Sequence, residues 1–202
     1  MQDFKEFTYH RVTDILSPFS GIEFIPEDVL NIAANRGTRV HEMINGFYEG
    51  FESEVDEETS GYMESFNKFH SQCVVKPFKM ETRFFDDAIM CTGKMDMLGS
   101  DNGVNYIYDW KTSYKPSKTW ALQAAAYRYL TRYEFNAEGV KFVQLKKNGD
   151  EPEVFFWNIE TLMGDYLPIF FKCLDVYKHF EMWNRPLLKK RKNMENQGNQ
   201  YD

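Results

Sequence analysis

The stretch "GKMDMLGSDNGVNYIYDWKTS", residues 93–113, predicts a β-hairpin whose register is set by its turn. Asn102-Gly103 is the preferred centre of a two-residue type I′ turn, because both turn positions need a positive φ. If these two residues form the loop, Asp96 lies directly opposite Asp109 on the facing strand. The Cβ atoms of such a pair are about 5 Å apart.

Two facing carboxylates without a cation repel each other, and one of them would be driven to protonate. A divalent cation between them removes that cost, and oxygen ligands suit Mg²⁺ or Mn²⁺. Lys111 shares the face of Asp109 because side chains alternate along a strand, and Lys94 would lie opposite Lys111. Such a group indicates a phosphodiester-cleaving centre. The alternative is a surface carboxylate pair flanked by lysines, since a slipped register would separate the two acids.

The other face of the hairpin is apolar and is predicted to be buried against a helix. Its residues are Met95, Met97, Tyr106, Tyr108 and Trp110.

Hydrophobic periodicity predicts the elements around the hairpin. Pro26 suits the first turn of a helix that Gly37 divides into a short and a longer piece. Ser117 is a plausible N-cap, and Pro168 marks the start of the last helix or a kink in it. The predicted helices cover residues 26–51, 60–75, 117–135 and 162–177, and the predicted strands cover 78–86, 89–99, 104–112, 139–147 and 153–160.

The resulting order, ααβββαββα, predicts an α+β fold, an α/β sandwich with one mixed sheet flanked by helices. The length of 202 residues fits a single domain over residues 1–188 with a helical lead-in. Residues 189–202 are polar and are expected to form a frayed tail. No segment approaches the roughly 20 apolar residues of a membrane span, and no cleavable leader is evident. A cytoplasmic protein without a membrane partner is therefore predicted.

Charge and cysteine content exclude several function classes. A net charge of −7 argues against a protein that coats nucleic acid by bulk electrostatics. The acidic run over 49–60 is predicted to be a solvated loop, whereas basic residues gather in 109–147 and 189–192, so a local basic face is still expected. The three cysteines lack metal-binding spacing and are predicted to be reduced core thiols.

Four further residues carry weak signals when each is taken alone. His41 lies on a predicted helix with an apolar face, where a histidine is usually a packed or surface residue. Gln123 and Tyr127 share a helix face at i, i+4, which is typical of a polar pair beside a packing stripe. Glu81 lies on the strand before the hairpin, where an acid is most often a solvated edge charge.

Taken together, these residues resemble the RecB-like branch of the PD-(D/E)XK nuclease superfamily. The matching motifs occur in the expected order: "GTRVH" at 37–41, "GKMD" at 93–96, "DWK" at 109–111 and "QAAAY" at 123–127. The lead-in "YHRVTDILSPF" is similar to the start of phage-encoded and mitochondrial genome-maintenance exonucleases. The resemblance implies a restriction-endonuclease-like core.

The resemblance also implies a metal centre. Asp96 and Asp109 would bind the catalytic ion, with the Trp110 carbonyl as a further ligand. His41 would add a nitrogen ligand, which favours Mn²⁺ without excluding Mg²⁺, and Glu81 fits an acidic position that some members carry. The chain lacks the cysteine set of iron–sulfur relatives, so we expect no cluster.

Roles for the neighbouring residues follow from the same resemblance. Lys111 would orient the attacking water and stabilise charge on the phosphate, while Gln123 and Tyr127 would position DNA or the lysine. Tyr114 and Trp120 could stack unpaired bases, although core packing is the alternative for Trp120. Phosphate contacts are expected from residues near the site, namely Arg36, Arg39, Lys94, Lys115 and Lys118.

The sequence thus predicts a metal-dependent deoxyribonuclease, specifically an exonuclease acting on single-stranded DNA or DNA ends, in a bacterial or phage-infected cell. Such an enzyme could form a homo-oligomer or work with a recombination partner. One alternative is a structure-specific or restriction-like endonuclease on the same fold. Another is a non-catalytic nucleic-acid-binding or partner-binding module.

Overall fold

A computed structural model describes residues 9–21, 24–51 and 53–181. The polar tail predicted over 189–202 and the basic run at 189–192 lie outside these residues. The helices are α1 (Val12–Leu16), α2 (Glu27–Glu49), α3 (Ser60–Gln72) and α4 (Trp120–Leu130), and a 3₁₀ turn covers Ser17–Phe19. A C-terminal helical stretch, residues 159–181, contains a π-helical turn at Leu162–Tyr166. The strands are β1 (His10–Arg11), β2 (Val75–Asp86), β3 (Cys91–Asp101), β4 (Val104–Lys111), β5 (Gly139–Gln144) and β6 (Glu153–Asn158).

These strands form one six-stranded mixed sheet. The pairs β2–β3, β3–β4 and β5–β6 are antiparallel, whereas β1–β3 and β4–β5 are parallel. Helix α4 provides the crossover between the parallel strands β4 and β5, as parallel pairing requires. The predicted α+β class, with a mixed sheet flanked by helices, is confirmed.

The Asn102-Gly103 turn has the predicted geometry, with φ of 51° and 83°. Pairing begins with Asp101 opposite Val104, as the sequence predicts, and it continues regularly along the two strands. The ladder ends at Met97, one position before Asp96. The predicted register is therefore correct, but the strands no longer pair at the two aspartates.

Strand β3 has a gap along one edge. Strand β2 pairs with one edge of β3 over nearly its whole length. On the other edge β1 pairs at Cys91 and Thr92, and β4 pairs only from Met97 onward. Within the part of the chain that the structure describes, residues 93–96 therefore have no strand partner on that edge.

Two apolar cores lie on opposite faces of the sheet. One packs α1, α4 and the C-terminal helical stretch against the sheet, and the other packs α2 and α3 against it. Met97, Tyr108 and Trp110 enter the α2–α3 core as predicted, but Met95 belongs to the α4 core. The prediction for Met95 was wrong because the alternation of β3 shifts between residues 95 and 97, at Asp96.

Two predictions about helix boundaries were wrong, and a third was wrong in part. Gly37 does not divide α2; a Cβ there would lie 3.3 Å from Thr112 Oγ1, so glycine permits a close approach instead. Ser117 is not the N-cap, because α4 begins at Trp120 and the Ser117 hydroxyl accepts the N–H of Thr119. Pro168 does not begin the C-terminal helical stretch, but the π-helical turn just before it accommodates the missing N–H donor and is the kind of irregularity that the predicted alternative, a kink, implies.

The thiols agree with the sequence analysis. Cys91 and Cys173 are buried, Cys73 is half-buried, and all three are free. Among the described residues no helix has the length and apolar character that a membrane crossing requires.

Candidate active site

The candidate site begins with a matched distortion of β2 and β3. Glu81 and Asp96 lie at the same level of the ladder, between positions that pair regularly. Glu81 has a φ of 50°, a left-handed conformation that is unfavourable for a side chain of this type. The positions on either side remain paired in register, so the two strands stay together across the distortion while the side-chain alternation of β3 shifts at Asp96.

Helix α2 adds His41 to the two acids. One ligand atom from each of His41, Glu81 and Asp96 lies within 4.8 Å of the others. His41 Nδ1 lies 3.3 Å from Asp96 Oδ1, and Nε2 lies 2.8 Å from the carbonyl oxygen of Trp110. Burial alone would lower the pKa of His41, but Asp96 outweighs it and raises the pKa to about 9. Without a metal ion the imidazole is therefore protonated at neutral pH, and both ring N–H groups can donate. A cation that binds here would have to displace the proton from the coordinating nitrogen.

Asp96 also replaces a backbone partner at the gap in the sheet. Its Oδ2 accepts the backbone N–H of Trp110 at 2.7 Å, directly beyond the end of the β3–β4 ladder. Burial would raise the pKa of Asp96, yet the His41 charge and this N–H hold it below its ordinary value. Asp96 is therefore ionised and fixed in position from two sides.

Asp109 occupies a second part of the site, facing α4. Its Oδ2 lies 2.6 Å from Lys111 Nζ, and its Oδ1 lies 3.4 Å from Gln123 Nε2. Burial raises the pKa of Asp109 to about 6; the charge of Lys111 opposes this shift and that of Asp96 adds to it. Lys111 Nζ also donates to Gln123 Oε1 at 3.0 Å, and Gln123 Nε2 donates to the Tyr127 hydroxyl at 2.8 Å.

The structure groups the acids differently from the predicted pair. Asp96 clusters with His41 and Glu81, while the Asp109 carboxylate is engaged by Lys111 and Gln123. An imidazole and neighbouring carboxylates form a donor set that suits Mn²⁺ or Mg²⁺, so these residues fit a divalent ion. The signal for Glu81 was weak because its strand position alone gives no hint of the left-handed backbone.

The residues predicted to contact phosphate differ in their surroundings. Arg39 forms ion pairs with Asp56 and Glu58 in the acidic segment after α2, and Lys94 pairs with Glu81. The β3–β4 ladder ends at Met97, so Lys94 and Lys111 do not form the predicted strand pair. Lys118 is exposed.

Two large cavities share the loop at 112–115. The first, about 780 Å³, is lined by His41, Trp110 and Lys111 and so reaches the candidate site. The second, about 870 Å³, is lined by basic residues that include the predicted Arg36 and Lys115. It also contains Lys146 and Lys147, which the sequence analysis did not select. The parallel pairing of β4 and β5 brings both carboxyl ends to one edge, which is the signal that could have identified them.

The two aromatic residues considered for base stacking differ sharply. Trp120 is 5% exposed and packs against Phe142 and Phe155, so the core interpretation is correct for it. Tyr114 is 92% exposed and lines both large cavities. Only Tyr114 of this pair has a ring that a base could reach.

Comparison with known proteins adds little. No family model matches the chain, and no curated protein matches it. The crystal structure of SSO0001 is similar at 17% identity, over 78% of this chain and 70% of that one, with a TM-score of 0.41. So low a TM-score supports neither a fold family nor a function.

Proposed function

We propose that this chain is a metal-dependent deoxyribonuclease that hydrolyses phosphodiester bonds, acting as an exonuclease on single-stranded DNA or DNA ends. The observation that carries the proposal is the convergence of His41, Glu81 and Asp96 from three elements at a matched backbone distortion. Asp109 and Lys111 lie on the next strand, beside this cluster. A cluster that maintains an unfavourable backbone is typical of a functional site.

The residues divide into two working groups. His41, Glu81 and Asp96, together with Asp109, would hold the ion, which when bound would stabilise charge on the phosphate. Lys111 is held by Asp109 and Gln123, so its ammonium group is positioned to orient a water molecule or a phosphate oxygen. The restriction-endonuclease-like core implied by the sequence motifs is part of the same proposal.

The surroundings favour a single strand as substrate. Arg36, Lys115 and Lys147 line the 870 Å³ cavity, which shares the loop at 112–115 with the cavity that reaches the site, and there they could contact successive phosphates. Tyr114 lies exposed at the shared loop and offers a ring for an unpaired base. Within residues 9–21, 24–51 and 53–181 we identify no element for reading bases in a duplex, which favours cleavage without sequence preference over a restriction-like reaction.

One observation favours a second candidate, a non-catalytic nucleic-acid-binding module. The three acids of the site are already matched by three cations: Asp96 by His41, Glu81 by Lys94 and Asp109 by Lys111. Charge balance without a metal would suit a module that only binds. The left-handed backbone of Glu81 favours the nuclease, because it brings a third ligand group next to His41 and Asp96, which a module that only binds would not need.

The decisive experiment measures cleavage of end-labelled DNA by the purified chain. Linear and circular single strands of the same sequence are incubated with Mn²⁺ or Mg²⁺, with a chelator as the negative control. We expect linear strands to be shortened from an end and circles to survive. Asp96→Asn should abolish cleavage, whereas the matched variant Asp175→Asn, at an exposed acid on the C-terminal helical stretch, should leave it unchanged.

Each other outcome has a defined meaning. Cleavage of circles would support the endonuclease alternative. DNA binding that ignores metal, with no cleavage of any substrate, would support the binding module. Full activity in Asp96→Asn would contradict the assignment of the site.

A further inference from the structure

A third, much smaller cavity lies at the gap in the sheet, between β1 and the start of the β3–β4 ladder. Its volume is about 160 Å³, and it is lined by the cations Arg11, Arg83 and Lys94, by two threonines and by Tyr127. Among the described residues its lining contains no aspartate or glutamate, although Arg11 and Lys94 each pair with an acid just outside it. The pocket therefore presents cationic groups to a ligand on a chain with a net charge of −7.

This small pocket and the large site cavity lie on either side of the acid cluster. His41 lines the large cavity, and Lys94 lines the small one. Glu81 connects them, because it clusters with His41 and forms an ion pair with Lys94. Tyr127 makes a second connection, since it lines the small pocket and is bonded to Gln123. A ligand in the small pocket would therefore lie next to the reacting groups.

The donors of the pocket suit a phosphate group. Arg11 and Lys94 are each held by one carboxylate, Asp14 and Glu81, whereas Arg83 makes no ion pair within the described part of the chain. A guanidinium group presents paired N–H donors that match phosphate oxygens. The Tyr127 hydroxyl accepts its hydrogen bond from Gln123, so its own hydrogen is available to donate to a ligand.

The size of the pocket restricts what it can hold. At about 30 Å³ for each molecule, 160 Å³ corresponds to roughly five waters. That space accepts a phosphate group, but it is far smaller than the 780 Å³ cavity on the other side of the acids. A continuous strand fits the large cavity, whereas the small pocket suits the place where a strand ends.

We infer that the pocket of Arg11, Arg83 and Lys94 binds the terminal phosphate of a DNA strand and so places the end of that strand at the site. This inference rests on the proposed function and makes it more specific. It provides a physical reason for cleavage from an end, because an end with a phosphate gains contacts that an internal linkage does not. Arg83 is a specificity-determining residue in this account.

The test compares three linear single strands of one sequence, carrying a 5′-phosphate, a 3′-phosphate or hydroxyls at both ends. We expect the wild type to prefer one phosphorylated end by about tenfold in kcat/KM, through a lower KM, as the loss of a charged hydrogen bond implies. Arg83→Gln should remove this preference and leave kcat on the hydroxyl strand unchanged. Lys172→Ala, which removes an exposed charge on the C-terminal helical stretch, should keep the preference.

Arg11→Gln provides a second variant, and we expect it to reduce the preference in the same direction. Equal cleavage of all three strands by the wild type would overturn the inference. An equal loss on all three strands in Arg83→Gln would also overturn it, because the pocket would then bind internal phosphates.

A binding measurement separates this inference from the proposed function. A thymidine dinucleotide with or without the preferred terminal phosphate is titrated calorimetrically into the metal-free chain. Binding that requires the phosphate and is lost in Arg83→Gln would support the pocket even if no DNA were cleaved. Cleavage without any dependence on the terminal phosphate would leave the proposed function intact and reject the pocket.

Discussion

The two ends of the β3–β4 hairpin follow different rules. At the turn, Asn102 and Gly103 adopt the positive φ angles of a type I′ turn, and the ladder that follows is regular. At the other end the ladder stops, the side-chain alternation of β3 shifts, and the carboxylate of Asp96 takes the N–H of Trp110. The same two strands are thus regular next to the Asn102-Gly103 turn, whose residues specify the register, and distorted next to Asp96 and Asp109.

The free-energy cost of a positive φ differs between these two places, and the costly position marks the candidate site. A left-handed Glu81 costs about 1–2 kcal/mol relative to an extended residue, and it persists only because the surrounding structure holds it. At the turn the same sign of φ costs little, because glycine and asparagine tolerate it. A positive φ therefore costs little free energy at the Asn102-Gly103 turn and more at Glu81, on β2.

The largest expected effect on DNA cleavage is that of Lys111, for which Lys141, near the other end of the hairpin, is the comparison. Lys111 pairs with Asp109 at the site, and Lys141 pairs with Asp101 near the turn at 3.1 Å. We expect Lys111→Gln to lower the rate of DNA cleavage by about 10²–10³-fold, as loss of an electrostatic contact to the transition state does. Lys141→Gln should stay within a factor of about two. Single-turnover rates with end-labelled DNA measure both, and equal losses would contradict the division of the hairpin.

A second comparison concerns two buried acids, Asp109 on β4 and Asp86 on β2, the two strands that flank β3. Asp109 lies among other acids and has a pKa raised to about 6, whereas Asp86, at the end of β2, faces a single cation. Burial would raise the pKa of Asp86, but two donors hold this pKa below its ordinary value. Arg132 Nη2 lies 2.6 Å from Asp86 Oδ2, and the backbone N–H of Ile89 donates to Oδ1. The pair thus stabilises the fold without any role in the site.

Removing this pair should destabilise the chain by about 1–2 kcal/mol at neutral pH. Because the folded-state pKa of Asp86 is lower than the unfolded value of about 3.9, its contribution is complete above that pH. It disappears as the pH falls through the folded-state pKa. Urea unfolding of wild type and Arg132→Gln should therefore converge in acid. Lys79→Gln, which breaks an exposed pair with Glu134, should cost less than about 0.5 kcal/mol at any pH.

The sequence predicted the regular parts of the fold because local rules govern them. The Asn102-Gly103 turn specifies the register, and the burial of Tyr108 and Trp110 follows from the period of the strand. The gathering of His41 near Asp96 was expected only from the resemblance to a family. Neither the left-handed backbone of Glu81 nor the gap along β3 could be predicted, because both depend on how three elements meet and on where β1 pairs.

A third prediction concerns the Asn102-Gly103 turn, where a positive φ costs little free energy. Gly103→Ala places a Cβ on a residue with a φ of 83° and should cost about 1 kcal/mol of stability. The cleavage rate should be unchanged, since the turn lies at the far end of the strands from the acids. Gly164→Ala is the matched control: it lies in the C-terminal helical stretch with open space around it, and alanine there should be neutral or stabilising. Thermal unfolding of both variants provides the measurement, and equal shifts would show that φ at the turn does not matter.

The smallest expected effect isolates the strain at Glu81. Glu81→Gln removes the charge but keeps a side chain that disfavours the left-handed region, whereas Glu81→Asn removes the charge and tolerates that region. Both variants lose the ion pair with Lys94, so this loss cancels in the comparison. We expect the asparagine variant to be more stable than the glutamine variant by about 0.5–1 kcal/mol.

Manganese titration of the same two variants completes this test. Both should bind Mn²⁺ more weakly than the wild type, because each lacks one carboxylate of the cluster with His41 and Asp96. If the asparagine variant is the less stable one, the conformation of Glu81 carries no strain. The positive φ would then cost no more at Glu81 than at the Asn102-Gly103 turn. If it is more stable and yet cannot bind the ion, the left-handed backbone is present because it directs this carboxylate toward the metal.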